Sequence, residues 1–218
     1  MPYRRTENVE RRLAARQEAI IAAARHVASE AGLGAVQIAA VAARAGIAAG
    51  TVYRYFPAKT DLVAALLAEM ADSEIGALRS AAAGAPGPLS ALAAAITTFA
   101  ARALRDRRLA YAATAEPVDA ELDGARIAFR RSLAAEFAGR IAAAMVDGRL
   151  PEQDSELAAA ALTGLLIEGL VGPLAPNPSG REREIVQSLT LTALRALGVA
   201  DARARGLVVQ TAMPAAAT

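Results

Sequence analysis

Apolar positions recur at helical spacing along nearly the whole chain. In 7–31, Ile20, Ala24, Val27 and Ala31 fall on one helical face. Gly32-Leu33-Gly34 ends that helix, since glycine takes the positive φ that a C-cap needs. Short helices are predicted over 37–44 and 49–55, separated by Ala45-Gly46, and a longer one over 58–82 beyond Phe56-Pro57. Gly84-Ala85-Pro86-Gly87-Pro88 is a strong breaker and a candidate domain junction. Further helices are predicted over 89–104, 107–115, 119–147, 152–171 and 180–197. Phe129, Leu133, Phe137, Ile141 and Met145 step by four and predict a buried stripe. Residues 201–218 show no convincing period and are expected to form a loose tail. The expected fold class is all-α, with about nine helices and no strand of consequence.

Composition supports this. Of the 218 residues, 55% are apolar, with alanine dominant, and only 4% are aromatic, which favours helix over sheet. The chain has no cysteine, which excludes disulfides, thiolate metal sites and cysteine nucleophiles. Its charged opening lacks the apolar core of a secretory signal, so a cytoplasmic protein is expected. The apolar stretch 157–175 is broken by Glu168 and Pro173, and the eleven residues before the glutamate are too few to span a bilayer. Charge is uneven. Residues 1–60 carry nine Arg or Lys against four Asp or Glu, and the remainder fifteen against eighteen. A basic head on a slightly acidic body suits a nucleic-acid reader, although plain solvation explains it about as well.

The informative segment is Q-I-A-A-V-A-A-R-A-G-I-A-A-G-T-V-Y-R-Y-F-P-A-K, residues 37–59. Two short helices meet at Gly46. Ile38, Val41 and Ala42 can pack inward from the first, and Ile47, Val52 and Phe56 around the second. This is how a helix-turn-helix is built, and its second helix suits the major groove, about 12 Å wide. That helix presents Thr51, Tyr53, Arg54 and Tyr55, whose hydroxyls and guanidinium suit phosphate oxygens and base edges. Lys59, the only lysine in the chain, follows at the start of the next helix, where ammonium and helix-terminal amides together favour a phosphate.

G-T-V-Y-R-Y-F-P-A-K-T-D-L, preceded by V-A-A-R-A-G-I, resembles the signature of the TetR/AcrR family of transcriptional regulators. The resemblance covers about residues 14–74, as the helix-turn-helix domain. It implies a homodimer on a palindromic operator in double-stranded DNA, usually a repressor released by a small molecule. Matched by position, Thr51, Tyr53 and Lys59 correspond to residues on the DNA backbone, Arg54 and Tyr55 to positions at or near base edges, and Gly50 to a close approach. With Gln37, Ala48 and Ala49 these form the expected DNA-binding set. The chain departs from the family at Gln37, where many members have a Ser or Thr cap, at Ala39, where many have Arg, and at Ala48, where many are polar. Arg4, Arg5, Arg11, Arg12 and Arg16 can compensate on phosphates or in an adjacent minor groove.

Residues 84–200 are expected to be a helical ligand-binding and dimerisation domain. The 152–171 segment is apolar nearly all round and must be covered on both sides, by its own domain and by a second subunit. With 180–197 it can build a four-helix interface about a two-fold axis, and the resemblance points to the same two helices. The expected interface residues are Leu157, Ala161, Leu165, Glu168, Ile185, Leu189 and Thr192. A wholly intramolecular core helix is the alternative. The middle helices are expected to enclose an apolar or aromatic ligand among Phe99, Tyr111, Thr114, Phe129, Arg130 and Phe137, with Glu116 a further polar candidate.

No catalytic constellation is visible. His26 is the only histidine and lacks evident partners. Asp119, Glu121 and Asp123 alternate like metal ligands but complement a helix N-terminus more simply. No metal site, cofactor or phosphate loop is expected. Two functions remain open: a ligand-responsive DNA-binding repressor, or a helical enzyme or small-molecule carrier that keeps the motif without binding DNA.

Overall fold

The computed structural model describes the backbone of residues 3–213 and the side chains of residues 8–213. Among these residues the chain is entirely helical: α1 (Tyr3–Ala31), a 3-10 turn (Leu33–Ala35), α2 (Ile38–Ala45), α3 (Ala49–Tyr53), α4 (Lys59–Ala83), α5 (Pro88–Arg105), α6 (Arg107–Thr114), α7 (Ala120–Val146), α8 (Ser155–Leu170), α9 (Glu182–Ala196) and α10 (Asp201–Gln210). Nine of the ten helices lie where the apolar pattern puts them. The tenth corrects the expected loose tail. Residues 201–210 form a helix whose Ala204 and Leu207 are buried against the body, while 214–218 lie outside the described residues. Two buried residues in ten are too few to produce a readable period.

The side chains pack into two cores. The head core joins Ile20, Ala24 and Val27 of α1 to Val41, Val52, Phe56, Leu62 and Leu66 of α2–α4, and is closed by Leu109 of α6 and Leu122 and Phe129 of α7. The body core runs from Leu78 of α4 through Leu92 and Ile96 of α5 to Phe137, Leu166, Leu194 and Leu207. The changeover therefore falls inside α4, between Ala71 and Leu78, and inside α7, between Phe129 and Leu133. The breaker at 84–88 separates α4 from α5, and both of its flanks belong to the body. The stepped stripe of α7 explains the sharing. A stride of four residues drifts by about 40° per step around a helix of 3.6 residues per turn, so Phe129 meets the head and Ile141 the body.

Helix ends are held by particular groups. Asp106 caps α6 through the Leu109 amide at 3.1 Å, and Asp154 caps α8 through the Glu156 and Leu157 amides at 2.9 and 3.1 Å. Arg107 of α6 donates to the Leu170 carbonyl at 3.1 Å, which satisfies the C-terminal end of α8. Asp119 stands at the N-cap position of α7 without a side-chain cap bond, and Glu121 and Asp123 lie in the first turn, so this acidic run complements the helix end by charge. No group of side chains suited to a metal occurs among the described residues, and none of their helices is long and apolar enough to cross a membrane.

Candidate functional site

The turn between α2 and α3 is made by Gly46 in the left-handed conformation, φ 66° and ψ 34°. Its amide bonds Ala43 O at 3.2 Å, and the Ile47 amide bonds Ala42 O at 3.0 Å, closing the end of α2. Val52 and Phe56 are buried in the head core and fix the roll of α3. That roll turns Tyr53 and Arg54 outward, with Tyr53 54% exposed. Thr51 is half-buried on the same short helix, and Tyr55 is half-buried against the head core. Gly50 is exposed, and a Cβ added there would meet nothing within 4 Å, so packing inside the chain does not demand a glycine.

The expected caps are mixed. Gln37 is the N-cap of α2, but its amide nitrogen donates to Gly34 O at 3.1 Å and makes no cap bond. Ala48 and Ala49 begin α3 with no side-chain cap. Lys59 is the first residue of α4, half-buried, and Asp61 Oδ2 accepts the Ala58 amide at 3.0 Å to hold that helix start in place. Sequence reasoning missed Asp61, although a carboxylate three residues after a helix start was the available signal. Arg44 of α2 pairs with Glu30 of α1 and holds that carboxyl below its usual range. Arg11, Arg12 and Arg16 are exposed on α1, where none of the described side chains before Ile20 is buried. The side chains of Arg4 and Arg5 lie outside the described residues.

These features fit a DNA-reading head. Residues 20–66 match the family model described as "Bacterial regulatory proteins, tetR family". Over that segment the chain is similar to the TetR family. It is 48% identical over 71 residues to the HTH-type transcriptional repressor KstR of Mycobacterium tuberculosis, a match covering 32% of each chain. The chain thus matches about a third of the length of that curated relative. Its fold is shared with RolR solved with resorcinol, at TM-score 0.70 and 23% identity over 94% of this chain and 98% of that one. It is shared too with AibR solved with isovaleryl coenzyme A and operator DNA, at TM-score 0.62 and 15% identity over 81% and 97%.

A cavity of about 240 Å³ lies between α1, α4, α5, α6 and α7. Three residues expected at a ligand site, Phe99, Thr114 and Phe129, line it. Tyr111, Arg130 and Phe137 are not on its wall. Phe137 is sealed in the body core, edge-on to Phe99 at 6.4 Å between ring centres, because the drift of α7 turns it away from the head. Thr114 spends its hydroxyl on Ala110 O of its own helix at 2.6 Å. Glu116 is engaged elsewhere: its Oε2 accepts the Leu33 amide at 3.1 Å. The polar groups on the wall that sequence reasoning missed are Arg25, Glu74, Arg102, Arg105 and Asp106. Arg102 Nε donates to Glu74 Oε2 at 2.8 Å, while Glu74 Oε1 is buried with no hydrogen-bond partner. Burial raises the Glu74 carboxyl above its usual range, against the opposing pull of Arg102. A second pocket of about 710 Å³ lies between α4, α5 and the α10 end, and Arg102 and Arg105 also reach its wall.

On α8 and α9 the expected interface residues split. Leu157 is 69% exposed, Ala161 and Thr192 are exposed, and Leu165, Ile185 and Leu189 are half-buried. Glu168 is half-buried as well, and its Oε1 accepts the Leu174 amide at 3.0 Å and closes the turn after α8. The helices approach closely at Gly169, where an added Cβ would lie 2.9 Å from Leu189 Cδ1. The chain itself buries Leu162, Leu166 and Leu170.

Proposed function

We propose that the protein is a DNA-binding transcriptional repressor that acts as a homodimer on a palindromic operator and is released by a small apolar or aromatic ligand. The observation that carries the reading is the anchoring of α3 by buried Val52 and Phe56, which leaves Tyr53 and Arg54 exposed beside Lys59 at the start of α4. Thr51, Tyr53 and Lys59 engage phosphates, Arg54 reads base edges, and Gly50 admits the DNA backbone. Arg11, Arg12 and Arg16 add phosphate contacts from α1. The α8 and α9 faces bearing Leu157, Ala161, Leu165, Ile185 and Leu189 pair across a two-fold axis and set the spacing of two heads. KstR being named a repressor and AibR being solved with operator DNA support this reading, and resorcinol in RolR supports a small effector.

Release follows from where the cavity lies. Its wall includes Arg25 of α1 and Met70 of α4, the two helices that also frame the head core. A ligand that prefers one spacing of α1 and α4 against α5–α7 shifts the population of head positions. Catalysis has no place in this account, and the protein works in the cytoplasm with the DNA it reads. The test is a gel-shift titration on DNA upstream of the chain's own gene. Retarded complexes that weaken on Tyr53→Phe support the reading. A helical carrier or enzyme that keeps the motif would show no affinity for any duplex.

A further inference from the structure

The larger cavity, about 710 Å³, runs along one face of α5. Ser90, Ala94, Thr98, Arg102 and Arg105 recur on that face at steps of three and four residues, over about 22 Å of helix at 1.5 Å per residue. The α4 side contributes Ala77, Ser80, Ala81 and Gly84, which are too small to fill the space, and Leu207 and Met213 add to the wall from the α10 end. The groove is thus small-sided and largely apolar towards the start of α5 and cationic towards its end. Among the described residues on its wall, the charged ones are Arg102 and Arg105, whereas Glu74 and Asp106 line the smaller cavity and not this one. Arg102 spends Nε on Glu74 Oε2, and no described residue accepts from its two terminal nitrogens. Burial raises the Glu74 carboxyl, so it offsets the Arg102 charge less than an ordinary carboxylate would. Thr98, one turn before Arg102, is 6% exposed, and its hydroxyl bonds no described residue. A buried hydroxyl without a partner on a cavity wall is a donor in want of an acceptor.

We propose that this groove binds an organic carboxylate with an extended apolar body, its head held by Arg102, Arg105 and the Thr98 hydroxyl and its body lying along Ala94 towards Pro86. A carboxylate accepts from a guanidinium and from a hydroxyl together. An ammonium would meet two positive charges, and an alcohol would leave the guanidinium without a charged acceptor. The apolar body removes Ala77, Ala81 and Ala94 from water. The volume lies in the range of about 300–1,000 Å³ that ligand pockets occupy. This site is separate from the smaller cavity and goes beyond the repressor reading, which stands or falls without it.

Calorimetric titration of the full chain with decanoate, decanol, decyltrimethylammonium and acetate tests it. Burial alone ranks decanol above decanoate, because a carboxylate loses more on leaving water, so the reverse order reports the cationic end. Decanoate is expected to bind at one site per chain, at least about tenfold tighter than decanol, while the ammonium probe and acetate do not bind. Ala94 lines this groove and not the smaller cavity, so Ala94→Phe, which fills the groove, is expected to abolish decanoate binding. Thr98→Val keeps the shape and removes the hydroxyl, and is expected to weaken decanoate about fivefold. No binding of decanoate, equal or tighter binding of decanol, binding of the ammonium probe or acetate as tight as that of decanoate, or a decanoate affinity unmoved by both variants would each overturn the proposal. Should Ala94→Phe not fold, Thr98→Val and the decanoate-against-decanol comparison on the unaltered chain decide it, because the two probes share the chain and differ only in the head.

Discussion

Glu116 of the α6–α7 corner accepts the amide of Leu33, 83 residues earlier, at 3.1 Å, and so ties the body to the first corner of the head. Gly32 makes the contact possible. Its φ is 83°, and a Cβ on it would lie 2.6 Å from Glu116 Oε1. Head and body are thereby joined by a hydrogen bond as well as by the shared helices α4 and α7.

Breaking that tie is expected to destabilise the chain. Glu116→Ala strands the Leu33 amide, at a cost of about 1–3 kcal/mol. Gly32→Ala adds backbone strain and collides with the carboxylate. Because Glu116→Ala removes one side of the collision, the double variant should lose less than the sum of the two single losses, as read by urea denaturation of all three. Strict additivity would show that the two residues are not coupled.

Stability against pH should report Glu74. Burial raises its folded pKa, so between the unfolded value and the folded value the native state holds more protons than the unfolded one. In that window stability falls as pH rises. Exposed acids such as Asp201 are held low by arginine partners and act in the opposite sense. The signal is therefore the difference between the unaltered chain and Glu74→Gln, which is expected to move in favour of the variant as pH climbs above about 4.3, the ordinary glutamate value. Parallel profiles for the two proteins, from denaturation at a series of pH values, would contradict it.

The exposed face of α8 and α9 gives a prediction about assembly. Leu157→Arg and Ala161→Glu place charge on an apolar surface that the chain itself leaves uncovered. Each is expected to change stability by no more than about 0.5 kcal/mol in a monomer. Each is also expected to shift sedimentation from dimer towards monomer and to weaken operator binding. A dimer undisturbed by both variants would place the interface elsewhere.

Lys59→Ala is expected to weaken binding to all duplexes alike and to reduce the slope of log affinity against log salt by about one. Phe56→Ala, by contrast, should unfold the head, at about 3–5 kcal/mol, since its ring is buried. Fluorescence anisotropy over a salt series and thermal melting separate the two effects.

The head was legible in the sequence because its signals are local. Gly46 makes the turn, Val52 and Phe56 point inward at helical spacing, and Tyr53 and Arg54 fall between them. The cavity was legible only in part. Phe99 and Phe129 stood out as aromatics, but Phe137 lies eight residues beyond Phe129, enough helical drift to carry it into the other core. Glu74 and Arg102 lie 28 residues apart on separate helices, and each looks like a solvated charge until α4 and α5 are packed together. The break after 171 was legible from Gly172 and Pro173, but not that the turn there would bring the Leu174 amide to Glu168.

Selection of the full chain against a pool of random duplexes addresses the central claim most directly. Enrichment of an inverted repeat, with half-sites about one helical turn or a multiple apart and a preference relaxed at single positions by Arg54→Ala, is the outcome that two outward-facing α3 helices require. A pool that emerges without enrichment, or whose winners bind Arg54→Ala and Tyr53→Phe as tightly as the unaltered chain, would contradict it.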